Sequence, residues 1–366
     1  MGDTGFGLEE RILHTKDEFA QREALLRSRG LTPPGDEEFV IGLYEGEMLV
    51  ATGALVRNVL QGIAVDVGYE GEGAASAIVS SLLKRAVRRG LSQIFLYTTN
   101  EEASRFEALG FSLIAAVPRG AALLEWGSQG IGTYLESLRA IAIGRLDHSG
   151  AVVVNCNPFT LGHRALIEYA SSRVPWLYVL VVEEDRSLFP FGVRFQLIRE
   201  GTADLPNVTV IKGGPYIISS ATFPTYFVRP DREEASQRTV NMHAALDLAI
   251  FRKYVAPALR VTERFVGTEP YCSTTSIYNE TMKRILPSPE PEGFDLESRG
   301  VPIAVREMPR FEIDGAAVSA SKIRDLIREG RLPEVEKLVP RTTWEWLTSE
   351  EAVPVVEKIR NSDSRH

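Results

Sequence analysis

Residues suited to phosphate chemistry follow directly after an apolar run near the middle of the chain. Val152-Val153-Val154 leads into Asn155-Cys156-Asn157-Pro158-Phe159-Thr160-Leu161-Gly162-His163, and a helical pattern begins there. This order predicts a strand, a tight turn and a helix N-terminus, whose free amide groups attract anions. Gly162 lets a phosphate approach the backbone, and His163 offers it a donor or a cation. The segment is therefore a candidate site for a nucleoside triphosphate.

A second polar cluster stands at another predicted helix start, Ser319-Ala320-Ser321-Lys322-Ile323-Arg324. It follows a strand-like segment at 301–308 and a loop. Either Ser319 or Ser321 is expected to cap the helix, and Gly330 to close it. The apolar positions fall on one face, so Lys322 and Arg324 are predicted to point to a common phosphate site.

The composition limits the classes of protein that need to be considered. A length of 366 residues favours two domains. The net charge of -8 and a pI of about 5.4 argue against a nucleic-acid partner, which would require a basic face. Cys156 and Cys272 are too few for a disulfide framework or a thiolate zinc site, which favours a reducing, cytoplasmic setting.

No targeting or membrane segment is expected. Residues 1–13 carry acids and glycines instead of a basic segment followed by an apolar core. The longest apolar run, 176–182, is too short to cross a bilayer and predicts a buried strand. Residues 287–300 are rich in Pro, Glu and Gly, which predicts a solvated insertion.

The first part of the chain has the pattern of a mixed α/β domain. Strand-like residues at 39–67 contain a turn at Glu45-Gly46-Glu47, and a glycine-rich stretch at 68–75 precedes an amphipathic helix that ends near Gly90. A strand at 94–98, a short helix at 103–109 and further apolar strands follow.

This part resembles the acetyl-CoA-dependent N-acetyltransferase (GNAT) superfamily, in which a glycine-rich turn before a helix offers amides to a pyrophosphate. The turn is matched by Gly71, Gly73 and Ala75, and the later L-G-F element by Leu109-Gly110-Phe111. Glu70 departs from the usual basic or neutral residue. Phe106 stands where many members have a proton-donating Tyr, and a phenyl ring donates no proton. We therefore expect no acetyl transfer here, with binding of a pantetheine-like arm as the alternative.

The second part alternates five strand candidates with helices. The strand candidates are residues 152–155, 176–182, 208–211, 261–266 and 301–307. This alternation predicts a parallel sheet with right-handed crossovers and with ligands at the carboxyl ends of the strands. Each polar motif lies just after one of these strands, so we expect the motifs to converge.

The two polar clusters resemble the paired motifs of the nucleotidylyltransferase superfamily. Thr160-Leu161-Gly162-His163 matches (H/T)-x-G-H, and Val318-Ser319-Ala320-Ser321-Lys322-Ile323-Arg324 matches I-S-S-T-x-x-R, with Ala320 and Ser321 where Ser and Thr are common. Members bring an anionic nucleophile to the α-phosphorus of ATP and expel pyrophosphate, mainly through positioning and charge stabilisation.

The resemblance implies roles for individual residues. His163 and Arg324 would stabilise the transition state and the leaving group, with Thr160 and Lys322 as secondary phosphate contacts. Asn155, Pro158 and Phe159 would line the nucleotide through their backbone. Further nucleotide contacts would come from Gly162, Arg194, Gly267, Glu269, Ser319 and Ser321. Mg²⁺ is implied because ATP carries it, and phosphates and water would largely hold the ion, since the sequence has no dedicated metal motif.

A narrower resemblance extends over nearly the whole chain. The stretches NCNPFTLGHRALIEYAS, SLFPF, EGTADLPNVTV, YIISSATFPTYF, RFVGTEP and SASKIRDLI together resemble the citrate lyase ligases. This implies that acetate attacks ATP to give acetyl-adenylate. The thiol of the phosphoribosyl-dephospho-CoA group on the citrate lyase acyl carrier subunit then takes the acetyl group. The alternatives are a small-molecule adenylyltransferase of cofactor metabolism and a non-catalytic carrier-protein binding module.

The expected fold is α/β, with a GNAT-like α/β domain followed by a Rossmann-like nucleotidylyltransferase domain that has a five-stranded parallel sheet. We place the domains at 1–130 and 151–350, with a connector at 131–150 and a tail at 351–366.

Phe189 and Phe191 are candidate lid or acyl-pocket residues beside the charge run at 183–186. Residues 216–227 are a weaker candidate for substrate contact.

Overall fold

The computed structural model describes residues 7–31, 38–117, 120–145, 147–184, 186–223, 237–289 and 300–362. Most of the predicted insertion at 287–300, Asp185 of the charge run, and the end of the 216–227 segment lie outside these residues. The chain divides into two compact units between Thr133 and Tyr134. No helix among the described residues is long and apolar enough to span a membrane.

The first unit is a mixed α/β domain, as the sequence predicts. Its elements are β1 (Glu9–Ile12), α1 (Lys16–Ser28), β2 (Phe39–Glu45), β3 (Met48–Val56), β4 (Val59–Val65), α2 (Ala74–Arg88), β5 (Gln93–Thr99), α3 (Ala103–Glu107), β6 (Ser112–Ala116), β7 (Ala121–Gly127) and α4 (Ile131–Ala142), which crosses the division. The sheet has seven strands in the order β1-β2-β3-β4-β5-β7-β6. Strands β4 and β5 are parallel, whereas the other neighbouring pairs are antiparallel.

Local sequence explains the turns of this unit. Gly46 closes the β2–β3 hairpin with a φ of 60°, and Gly73 precedes α2 with a φ of 82°, a left-handed conformation that glycine adopts without strain. Helix α2 buries Ile78 and Leu82 in the core. Phe106 is also a core residue, in edge-to-face contact with Phe111 at 6.4 Å between ring centroids.

The second unit contains the predicted five-stranded parallel sheet. Its elements are β8 (Ser149–Val154), α5 (Leu161–Ser171), β9 (Leu177–Val181), α6 (Phe191–Glu200), β10 (Val208–Lys212), α7 (Gln237–Ile250), α8 (Ala256–Leu259), β11 (Val261–Gly267), α9 (Ser273–Ile285), β12 (Ala304–Met308), a short hairpin of β13 (Glu312–Ile313) and β14 (Ala316–Ala317), α10 (Ala320–Arg328), α11 (Arg341–Leu347) and α12 (Val353–Arg360). The strand order β10-β9-β8-β11-β12 confirms the expected topology.

The strand order reverses between β8 and β11. In open parallel sheets this switch point creates a crevice at the carboxyl ends of the strands. On one face, Val152, Phe265 and Ile323 belong to a core that joins the sheet to α5 and α10. On the other, α7 packs against α9. The crevice is therefore bordered by α5 and α10 on one side and by α9 on the other.

Candidate functional site

A single cavity at this switch point brings the two polar motifs together. It has a volume of about 340 Å³. The predicted site residues that line it are Asn155, Thr160, Gly162, His163, Gly267, Glu269, Ser319, Ser321 and Arg324. The positions after β8, β11 and β12 converge as expected, because parallel strands end at the same edge of the sheet.

The start of α5 holds His163 in one orientation. Thr160 caps the helix, since its hydroxyl accepts the His163 N–H at 3.3 Å. In return, the Thr160 N–H donates to His163 Nδ1 at 3.1 Å, and the Thr160 hydroxyl lies 2.9 Å from the same nitrogen. Because Nδ1 is an acceptor in this network, we assign the ring proton to Nε2. Thr160 therefore fixes the orientation of the His163 ring through direct hydrogen bonds.

The electrostatic environment keeps the His163 ring neutral. Burial, reinforced by the positive charge of Arg310, lowers the pKa of His163 to about 4. Of the two roles that the sequence leaves open, donor or cation, the structure favours the neutral N–H donor at neutral pH. The ring also stacks against Phe159, with 6.3 Å between centroids.

Ser319 and not Ser321 is the N-cap of α10. The Ser319 hydroxyl accepts the Lys322 N–H at 3.2 Å and lies 3.1 Å from the Ser321 hydroxyl. One turn further along, the buried Arg324 donates from Nη1 to the carbonyl of Asn157. This hydrogen bond ties α10 to the loop that follows β8.

Gly162 allows the two helix starts to approach each other. A Cβ atom at this position would lie 2.9 Å from the carbonyl oxygen of Val318, the residue that precedes the Ser319 cap. A backbone carbonyl cannot move away without moving its whole loop, so only glycine fits at position 162 without displacing one of the two loops. Gly162 thus has a packing role beyond the phosphate approach that the sequence suggests.

Arg194 is placed away from the cavity lining. It is fully buried and donates to the carbonyl oxygens of Phe189 at 3.0 Å, Asn155 at 2.9 Å, Val182 at 2.8 Å and Glu184 at 3.1 Å. These bonds join the chain segments that follow β8 and β9. The geometry indicates a structural clamp instead of the expected phosphate contact.

Other predicted residues also lie outside the cavity. Lys322 is exposed and lines a separate depression beside Glu334. Pro158 and Phe159 are buried in the loop after β8. Phe189 is fully buried against Trp346, with 5.6 Å between ring centroids, so it cannot act as a lid.

Arg310 is a cavity residue that the sequence interpretation missed. It follows β12 and forms an ion pair with Glu269 at 3.0 Å. Glu269 also accepts the N–H groups of Tyr271 at 3.0 Å and Cys272 at 3.1 Å, so this carboxylate organises the loop after β11. The sequence does contain a signal for Arg310. A cation directly after the fifth strand must lie at the same sheet edge as the motifs.

A parallel sheet with two helix N-termini at its switch point is the arrangement of a nucleotidyltransferase-like domain. The citrate lyase ligase C-terminal domain family matches residues 149–347, and the acetyltransferase (GNAT) family matches residues 9–111. The chain belongs to the citrate lyase ligase family.

Three curated relatives carry the name [Citrate [pro-3S]-lyase] ligase. The protein of Escherichia coli (strain K12) is 36% identical and covers 90% of this chain and 90% of its own length. The protein of Klebsiella pneumoniae is 39% identical and covers 92% of this chain and 95% of its own length. The protein of Haemophilus influenzae is 34% identical and covers 85% of this chain and 89% of its own length. The similarity therefore includes both units of the chain.

We predict that Gly162→Ala separates the two motifs. The new methyl group meets the Val318 carbonyl, and overpacking of this kind costs about 1–3 kcal/mol of unfolding free energy. Gly192→Ala is the matched control, because Gly192 is also the second residue of its helix and a Cβ there meets no atom within 4 Å. Chemical denaturation should show destabilisation of the first variant alone. Equal stability of both variants would contradict the packing role.

We also predict that His163 stays unprotonated in mildly acidic solution. A folded-state pKa near 4 lies below the unfolded value of about 6.5, so the unfolded state binds the proton first. The contribution of His163 to stability is complete above pH 6.5 and is lost as the pH falls towards 4. NMR of the His163 Cε1 proton, assigned with His163→Gln, should show little change from pH 8 to 5.5. A midpoint near 6.5 would refute the assignment.

Proposed function

We propose that this protein is an acid–thiol ligase that activates acetate with ATP and passes the acetyl group to the citrate lyase acyl carrier. The observation that carries the proposal is the single cavity shared by both phosphate motifs in a chain of the citrate lyase ligase family. Neither alternative, a cofactor adenylyltransferase or a non-catalytic binding module, is favoured by the named relatives.

In the first step an acetate oxygen bonds to the α-phosphorus of ATP while the bond from that phosphorus to the pyrophosphate oxygen breaks. Negative charge grows on the leaving pyrophosphate. The Nε2–H of His163, the guanidinium of Arg324 and the free amides at the starts of α5 and α10 supply fixed positive dipoles and charge at the cavity. The neutral His163 acts here as a hydrogen-bond donor.

Mg²⁺ enters this proposal with the nucleotide. Among the described residues no group of three or more His, Cys, Asp or Glu side chains is placed to hold a metal ion. Glu269, an acid of the cavity, is already paired with Arg310. We propose that the ion rests on phosphate and water oxygens, which suits its preference for partial hydration.

In the second step the carrier thiol forms a bond with the acetyl carbon, and AMP leaves with the bridging oxygen. The carrier subunit, its phosphoribosyl-dephospho-CoA thiol and a cytoplasmic location remain proposals that rest on the family resemblance. The domain limits at 1–130 and 151–350, the connector at 131–150 and the tail at 351–366 also remain proposals, as do the nucleotide contacts of individual residues.

We predict that the cavity residues act on the adenylation step. Removing one preorganised donor costs about 10²- to 10³-fold in rate, and an arginine at a phosphoryl transition state contributes roughly 10³ to 10⁵. His163→Ala and Arg324→Lys should therefore lose acetate-dependent exchange of pyrophosphate into ATP by such factors. Both should still transfer acetyl from supplied acetyl-adenylate to the carrier thiol.

Lys322→Ala serves as the control for this experiment, since Lys322 is exposed outside the cavity. It should retain near-normal exchange. A large loss in this variant would mean that Lys322 reaches the phosphates after all. Near-normal exchange in His163→Ala would refute the role assigned to the imidazole.

We further predict that acetyl-CoA is not an acetyl donor for the first unit. Phe106 is buried in the core and offers no proton to a leaving thiolate. Incubation with labelled acetyl-CoA and a thiol or amine acceptor, without ATP, should transfer no label. Rapid transfer that Gly71→Val abolishes would overturn this view.

A further inference from the structure

A buried cation lies in the cavity on the side away from α5. Arg264 is the middle residue of β11 and is only 1% exposed, yet it lines the cavity. Its neighbour Phe265 points to the opposite face, where it contacts Tyr169 of α5 at 6.1 Å between ring centroids. Because side chains alternate along a strand, Arg264 faces α7 and α9.

The guanidinium of Arg264 keeps one donor group unused. Its Nη2 donates to the hydroxyl of Tyr278 at 3.1 Å, and its central carbon lies 4.3 Å from the centroid of the Phe251 ring. Nη1 has no hydrogen-bond partner among the described residues. A buried N–H without a partner is costly, so the position is one that an incoming acceptor would satisfy.

The nearby acid Asp247 does not occupy that donor. The carboxylate of Asp247 is 1% exposed and accepts from Tyr278 at 2.7 Å, from the Thr222 hydroxyl at 2.8 Å and from the Ile218 N–H at 2.6 Å. The Tyr278 hydroxyl thus stands between acid and guanidinium. Asp247 makes no hydrogen bond to Nη1, which stays without a partner among the described residues.

The surroundings of Arg264 suit a small anion with an apolar tail. Ile218 and Met282 line the same cavity and are nearly buried, at 6% and 2% exposure. The phosphate motifs already provide anchors at the helix starts, whereas this part offers one guanidinium donor beside apolar walls. Arginine pairs well with carboxylates in such desolvated positions.

We propose that Arg264 binds the carboxylate of acetate through Nη1 and that Ile218 and Met282 enclose its methyl group. This inference rests on the proposed function, because it names where the acid substrate of that reaction sits. Arg264 orients one carboxylate oxygen and leaves the other for the α-phosphorus. Residues 216–223, the described part of the weaker sequence candidate, contribute through Ile218.

The test measures the Michaelis constants of acetate and ATP separately in pyrophosphate exchange. Arg264→Gln should raise KM for acetate by about 10- to 100-fold, the effect of losing one hydrogen bond to a charged group, and change KM for ATP by less than about threefold. The matched control is Arg306→Gln, since Arg306 lies on the adjacent β12, is exposed and pairs with Glu263 at 2.7 Å. It should leave both constants unchanged.

A purely structural role of Arg264 would lower activity and melting temperature without a selective effect on acetate, and that result would overturn the inference. If wild-type protein shows no acetate-dependent exchange, the proposed function itself fails. If Arg264→Gln does not fold, Met282→Ala decides the question. That variant should shift the ratio of kcat/KM for propionate over acetate upward by about tenfold or more, and an unchanged ratio would contradict the site.

Discussion

The close approach of two backbone segments is the constraint on which the site depends. Gly162 at the start of α5 faces the carbonyl of Val318, where a Cβ would come within 2.9 Å, and Arg324 bonds the carbonyl of Asn157. These two contacts cross between the loops that follow β8 and precede α10. They hold two positive helix ends at one cavity, where each alone would bind an anion only weakly.

The electrostatics of the cavity follow from this packing. Burial and the charge of Arg310 keep His163 neutral, with its pKa lowered to about 4. In the Thr160 capping box, Nδ1 of His163 accepts a hydrogen bond. Arg310 is itself anchored by Glu269 at 3.0 Å. The fixed positive charge in the cavity therefore comes from arginines, and the imidazole contributes a neutral N–H donor. Under the proposed function, this division suits a reaction in which negative charge moves towards the leaving group.

The regular parts of the fold are predictable because their signals are local. The five parallel strands, the helix that begins after Thr160 and the hairpin at Gly46 each follow from periodicity and turn residues. The family resemblance implies that Arg194 and Lys322 contact phosphate. The structure encloses Arg194 among strand-end carbonyls and exposes Lys322 to solvent, and no local sequence signal predicts either placement. The sequence does not predict Arg264 as a site residue, because a cation within an apolar strand belongs to no short motif. Its neighbours become visible only in the packing of α7 and α9.

An isotope-transfer experiment tests the central claim, that the cavity joins acetate to the α-phosphorus of ATP. Acetate labelled with ¹⁸O in both oxygens would be incubated with ATP, the protein and the carrier thiol, and the products analysed by mass spectrometry. Attack on the α-phosphorus followed by thiol capture places one labelled oxygen in AMP and leaves the other in the acetyl thioester. Label in inorganic phosphate with formation of ADP would show attack at the γ-phosphorus and contradict the account.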